Sequence, residues 1–124
     1  MKWLKKLSVL MMLTCMVPVY AIDTSYLEYS TISKFTPEDT MMMQKAYQKA
    51  LEVAKDGIVV RWHNKKTGAY GYFIPSHSST INGITCRQLR AFNSANGVVT
   101  PMTYFYRLCN VHGAWKVVSW RISS

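Results

Sequence analysis

The sequence predicts an α+β domain in which one N-terminal helix packs on a small antiparallel meander of about five strands, closed by one disulfide. Three observations carry this. A capped stretch with helical spacing runs from Thr36 to Gly57, and the apolar pattern then changes to strand alternation with turn residues at short intervals. Two cysteines, Cys86 and Cys109, fall on neighbouring predicted strands. At 124 residues and 49% hydrophobic composition, the chain has the size and make-up of a single globular domain.

The first 21 residues read as a signal peptide. Lys2, Lys5 and Lys6 precede an apolar run from Leu7 to Val17, and Val19-Tyr20-Ala21 offers small residues where a signal peptidase cuts. That run falls short of the roughly 20 residues a spanning helix needs. Cys15 is an alternative lipidation site, although Met12-Leu13-Thr14 before it matches a lipobox poorly. Cleavage after Ala21 leaves 103 residues, a charge of +6, and Cys86 and Cys109 as the only cysteines. In an exported chain such a pair implies a disulfide, and closing its loop stabilises by roughly 3 kcal/mol in the loop-entropy picture.

Residues 22–35 carry no clear period and read as an N-terminal arm; residues 36–124 form the domain. Thr36 caps the helix, Pro37 suits its first position, and Asp39 completes a T-x-x-D capping box. Met43, Ala46, Tyr47, Ala50 and Ala54 make the buried stripe, and Gly57 is the expected stop. Met41 to Met43 supply packing, not metal ligands. Strands are expected near Ile58–His63, Ala69–Ile74, Ile84–Phe92, Val98–Cys109 and Ala114–Ile122, separated by turns at 64–68, 75–83, 93–97 and 110–113. Short links make them an antiparallel meander.

Around Gly97, a register in which paired residue numbers sum to 195 sets Cys86 opposite Cys109; a tight Asn96-Gly97 turn gives 193 instead and keeps every side chain on its face. Leu89, Ala91, Met102, Tyr104, Tyr106, Leu108, Trp115 and Val117 then form the core face. Arg90, Arg107 and Lys116 lie on the other, beside Gln88, Phe92, Phe105, Val118 and Trp120. A one-residue slip exchanges the two faces. Grouped aromatics beside bases mark a contact surface, so Arg90, Arg107, Lys116, Phe92, Phe105 and Trp120 are the candidate partner-binding residues.

Charge is divided at Gly57. All six acids precede it, whereas residues 58–124 hold eight bases and no acid. Paired-carboxylate catalysis therefore finds no carboxylates on the sheet, and His63, His77 and His112 have no acid in their own region to orient them. Cys109 and His112 lack the further ligands of a structural zinc site, and no glycine-rich phosphate loop occurs. The expectation is a protein that is not an enzyme, without metal or cofactor. Export argues against nucleic acid as the ligand, despite the basic and aromatic composition. Envelope proteins, a second copy of the chain, or anionic envelope surfaces such as lipid head groups and cell-wall polymers are the expected partners. Lysozyme inhibition is a rival role, opposed by charge repulsion between a basic chain and a basic enzyme.

Several short elements, taken together, resemble the C-terminal domain of the bacterial 17 kDa surface antigen family. They are Ala50-Leu51-Glu52, Asp56-Gly57, Val60-Arg61-Trp62-His63-Asn64, Thr67-Gly68-Ala69-Tyr70-Gly71 and Pro75, then Gly83-Ile84-Thr85-Cys86-Arg87, and finally Cys109 with Gly113-Ala114-Trp115. The resemblance covers roughly residues 37–118. It implies a non-catalytic protein of the Gram-negative periplasm or outer membrane, with a helix on a small sheet. The glycine-rich hairpin that precedes this domain in typical members is missing from the sequence, which puts membrane anchoring in question. An accessory subunit of an outer-membrane secretion assembly is the role suggested by analogy.

Overall fold

The structure, a computed structural model, describes residues 31–98 and 101–123. The expected signal peptide, Cys15 and residues 22–30 of the expected arm lie outside them. A 3₁₀ turn at Thr31–Lys34 leads to helix α1 (Pro37–Glu52), followed by β1 (Val60–His63), β2 (Tyr70–Ile81), β3 (Ile84–Ser94), β4 (Thr103–Val111) and β5 (Ala114–Ser123). The strands form one antiparallel sheet in sequential order, β1-β2-β3-β4-β5. The α+β meander is thus present, and so is the disulfide, with Cys86 directly opposite Cys109 in the register summing to 195.

The helix begins as the sequence implies. Thr36 accepts from the Asp39 backbone N–H at 3.2 Å and the Asp39 carboxylate accepts from the Thr36 N–H at 2.9 Å, so two otherwise unpaired donors are satisfied reciprocally. Met43, Ala46, Tyr47, Ala50 and Leu51 face the sheet, with Ala54 half-buried beyond them. The end differs from expectation. The helix stops at Glu52, and Gly57, at φ +85°, belongs to a later turn whose N–H donates to the Pro75 carbonyl.

Pro75 does not break β2. A strand residue turns its N and its C=O toward the same neighbour, and the Pro75 carbonyl is turned toward Gly57, beyond the start of β1 at Val60. The missing N–H therefore costs no ladder bond. A bulge between Ser76 and Ser79, with His77 at φ +48°, absorbs the irregularity, and the hairpin closes at Asn82-Gly83. Strand β4 starts at Thr103, later than expected, and residues 99 and 100 lie outside the described residues.

The helix lies over β1, β2 and the near side of β3. Val60, Trp62, Phe73, Leu89 and Ala91 complete a core with Tyr106 and Leu108, whereas Tyr104, Trp115 and Val117 are only partly buried and Met102 is exposed. An α-helix with its side chains is about 10 Å across and strands are spaced about 4.8 Å apart, so one helix covers little more than two strands. Beyond the helix, Tyr106 and Leu108 of β4 are still buried, whereas Trp120 and Ile122 on the same side of β5 are exposed.

Candidate functional site

Alternation fixes the sheet's other face, here called the outer face. Across it Arg90 pairs with Phe105, and Phe105 with Arg121. The Arg121 guanidinium carbon lies 4.0 Å from the Phe105 ring centroid and that of Arg90 lies 5.4 Å from it, so two cations share one aromatic ring. The adjoining row is Gln88, Arg107 and Ser119. Phe92, on the same face, stacks on Tyr72 at 5.4 Å, and Arg61 is the partner of Tyr72 on β1. Lys116 pairs with Cys109, so it stands beside the disulfide on this face.

Five of the predicted site residues are thereby brought together: Arg90, Arg107, Lys116, Phe92 and Phe105. Trp120 is not among them. A bulge between Arg107 and Leu108 pairs Arg107 with Ser119 but Leu108 with Val117, which leaves Val118 as an extra residue. That residue reverses the alternation of β5 beyond it. Trp120 therefore sits opposite Tyr106 on the helix side, 58% exposed, and Arg121 takes the outer-face position that simple alternation gives to Trp120. Arg121 is the site residue that the sequence pattern misses.

The outer face is electrostatically one-sided. Arg61, Arg90, Arg107, Lys116 and Arg121 are all exposed, and among the described residues none of them has a carboxylate within salt-bridge distance. A shallow groove of about 360 Å³ runs beside Arg107 and Arg121, bordered by Gln88, Phe105 and Ser119. Fixed guanidiniums stacked on an aromatic offer planar donors to carboxylate or phosphate groups, with part of their mobility already restricted.

The acids are engaged elsewhere. Asp39 is 1% exposed; its carboxylate accepts from Asn64 Nδ2 at 2.7 Å and Thr67 Oγ1 at 2.6 Å as well as from Thr36. Burial alone would raise its pKa, but the hydrogen bonds from Thr67, Thr36 and Asn64 together outweigh it and hold the carboxyl below its ordinary value. Asp56 accepts from the Ser78 hydroxyl at 2.6 Å and the Ser78 N–H at 3.0 Å. Those two bonds, joined by Arg87, hold its pKa down to about 2.

Arg87 is buried at the carboxyl end of α1. It donates to the carbonyls of Ala50, Leu51 and Ala54 at 2.9, 2.8 and 2.6 Å, to Asp56 at 3.0 Å and to Ser78 Oγ at 2.6 Å. It thus supplies the cap expected of Gly57, a positive charge on carbonyls that the helix leaves unpaired. Gly71 lies beneath the Trp62 indole, which donates to Asn93 Oδ1 at 3.0 Å across it. A Cβ at Gly71 would sit 2.6 Å from the indole nitrogen and closer still to Asn93. Asn64, Thr67, Gly71 and Arg87, all within the motifs quoted above, have architectural partners in this structure.

His63 stands on β1, His77 at the β2 bulge and His112 in the β4–β5 turn, each exposed. Among the described residues no group of three or more His, Cys, Asp or Glu side chains is placed to hold a metal ion, and no helix is long and apolar enough to cross a membrane. On the helix side, a groove of about 310 Å³ separates Tyr47 and Leu51 of α1 from His112 and Trp115, and the Trp115 Nε1 is a buried donor with no hydrogen-bond partner among the described residues. Compared with protein-family models, with curated proteins and with solved structures, the chain matches none.

Proposed function

We propose that this protein is a non-catalytic component of a Gram-negative cell envelope, exported to the periplasm or outer membrane, and that it works by binding an acidic surface of another envelope protein. The observation that carries this reading is the outer face, where Phe105 lies between Arg90 and Arg121, Arg107 stands in the next row and Lys116 beyond it, and no carboxylate among the described residues lies within salt-bridge distance of them. Arginine and aromatic side chains are the residues that most often anchor protein interfaces. Their cation–π contacts lower the ordering cost of binding. A disulfide between β3 and β4 fits an oxidising compartment. The resemblance to the surface antigen family supports the same location, and an accessory subunit of an outer-membrane secretion assembly is the specific role we favour.

Five uncompensated bases also favour a second reading, an anionic ligand such as a lipid head group or a cell-wall polymer. Co-purification from the envelope separates the two. The wild type should retain a discrete protein partner that the double variant Arg107→Glu with Arg121→Glu loses, both proteins keeping their disulfide and fold. Retention of that partner by the reversed-charge protein would refute the outer-face interface, and binding only to anionic vesicles or wall polymer would transfer the reading to the second class.

A further inference from the structure

We propose that the trough between the end of α1 and the β4–β5 hairpin binds a neutral oligosaccharide of N-acetylated amino sugars, with Trp115 at its centre. It lies on the helix side of the sheet, so it is separate from the outer face. The hairpin builds one wall. His112 and Gly113, at φ +53° and +82°, make a tight two-residue turn that pairs Val111 with Ala114 and Asn110 with Trp115. Trp115 then lines two open grooves, one of about 620 Å³ and one of about 310 Å³. Leu51, Glu52 and Trp115 border both, so the grooves meet at these three side chains. Volumes of this size are usual for small-molecule sites.

The three shared side chains identify the ligand chemistry. Trp115 Nε1 is buried and has no hydrogen-bond partner among the described residues, and a donor-only group of this kind calls for an acceptor. Glu52 is exposed, with no ion-pair partner among the described residues, and its carboxylate can only accept. Leu51 offers apolar surface. An acetamido group carries the complement of all three: a carbonyl for the indole N–H, an N–H for the carboxylate and a methyl for the leucine. The sugar ring matches the rest. Its C–H face packs on an indole, and its hydroxyls both donate and accept, as do the amides of Asn110 in the larger groove and Gln48 in the smaller. Asn110 Oδ1 accepts from the Gly113 N–H at 3.0 Å, which holds that amide in place.

Charge and backbone pairing speak against the other ligand classes. The acids and bases that line the trough cancel: Asp56 is paired with Arg87 at 3.0 Å, and Lys55 offsets Glu52. In a chain of net charge +9 this is a neutral place, so it does not select the anions that the outer face attracts. An apolar ligand would strip water from Glu52 and leave the indole N–H unpaired. An extended peptide needs free backbone groups to pair with. Here they are spent, since Arg87 occupies the carbonyls of Ala50, Leu51 and Ala54, Asn110 holds the Gly113 N–H, and Asn110 and Trp115 pair with each other.

The test is a magnetic-resonance titration of the full, isotope-labelled chain, disulfide formed, with the trimer of N-acetylglucosamine. The Trp115 indole resonance should shift saturably with a Kd below about 5 mM, while the Trp62 indole, held by Asn93, stays in place. Cellotriose, which has hydroxyls where the trimer has acetamido groups, should bind at least about threefold more weakly, the effect of one lost hydrogen bond. Trp115→Phe keeps an aromatic face and removes the donor, and should weaken trimer binding by a similar factor, read from the backbone amides of Asn110 and Gly113. Glu52→Ala, at an exposed helix position that does not threaten the fold, should also weaken it at least about threefold. Arg107→Glu with Arg121→Glu should bind the trimer as the wild type does, which separates this site from the outer face. A Kd above about 5 mM, or no saturable Trp115 shift, would overturn the proposal and leave the trough to water. Equal binding of cellotriose would overturn it, as would a Trp115 shift produced by N-acetyl-trialanine amide and not by the trimer, which would assign the trough to a polypeptide.

Discussion

Replacing Arg87 by methionine should cost this domain about 3–4 kcal/mol, although the residue touches no candidate partner surface. Arg87 is 7% exposed and its guanidinium makes five hydrogen bonds, three of them to carbonyls at or just beyond the end of α1. Methionine fills much of the same space but leaves those carbonyls and Asp56 without a donor. Summing five charged hydrogen bonds at roughly 1.5–3 kcal/mol each would overcount, because all five belong to one group and are lost together. Removing one member of a buried ionic cluster costs about 3–5 kcal/mol. Water can still reach the Asp56 side chain, which is 43% exposed, so the lower part of that range applies. Urea unfolding of the oxidised protein is the assay. With a slope near 1.3 kcal/mol per molar, usual for a domain of this size, the midpoint should fall by roughly 2–3 M. Arg87→Lys should recover less than half of the loss, because one ammonium cannot span donors set for a planar fork. The exposed Arg90→Met is the control, with an expected change below about 0.5 kcal/mol. An Arg87→Met midpoint indistinguishable from that control would refute the idea that Arg87 closes the helix.

Asp39→Ala removes the reciprocal cap and orphans Asn64 and Thr67, so it should destabilise by about 2–4 kcal/mol, measured in the same unfolding series. Gly71→Ala should displace the indole from Asn93, seen as a shifted Trp62 indole resonance and a loss of more than about 2 kcal/mol. Both Asp39 and Asp56 have folded pKa values below their unfolded ones, so the stability they contribute is full above about pH 4 and is lost as pH falls through their folded values. For the partly exposed Asp56 the loss should be about 1 kcal/mol after allowance for solvent screening, still incomplete at pH 2 and complete only below it, and absent in Asp56→Asn. Intact mass of the protein isolated without reductant should lie about two daltons below that of its reduced form, and labelling of Cys86 and Cys109 as free thiols would contradict this.

What the sequence made legible was local. The helix start is written in three neighbouring residues, Thr36, Pro37 and Asp39, and the alternation around Leu89 and Tyr106 settles which side of β3 and β4 is buried. Arg90, Phe105 and Arg107 follow from that alternation with no further information. The helix end was not legible, because its capping group, Arg87, stands more than thirty residues along the chain from the carbonyls it serves. Asp39 is similar: its capping role is local, but Asn64 and Thr67 reach it across 25 and 28 residues. Pro75 looks like a break until the neighbouring strand is known to start too late to need its N–H.

The β5 bulge had no marker at all. Val117-Val118-Ser119-Trp120 contains neither glycine nor proline, and apolar residues occupy both parities, so either face can be read as buried. This single inserted residue decides whether Trp120 or Arg121 joins the candidate site. It also turns an apparently mixed aromatic and basic face into two distinct surfaces, one cationic and one apolar.

The central claim, that the outer face is where this protein meets an envelope partner, is tested most directly by site-specific photo-crosslinking in living cells. A photoreactive residue at Gln88, in the row of Arg107 and Ser119 and beside Arg90, should give one discrete protein adduct. The same probe at Glu52, exposed at the end of α1, should give none, and Arg107→Glu with Arg121→Glu should abolish the Gln88 adduct. An adduct that forms equally from Glu52, or that survives charge reversal in a folded protein, would contradict the account.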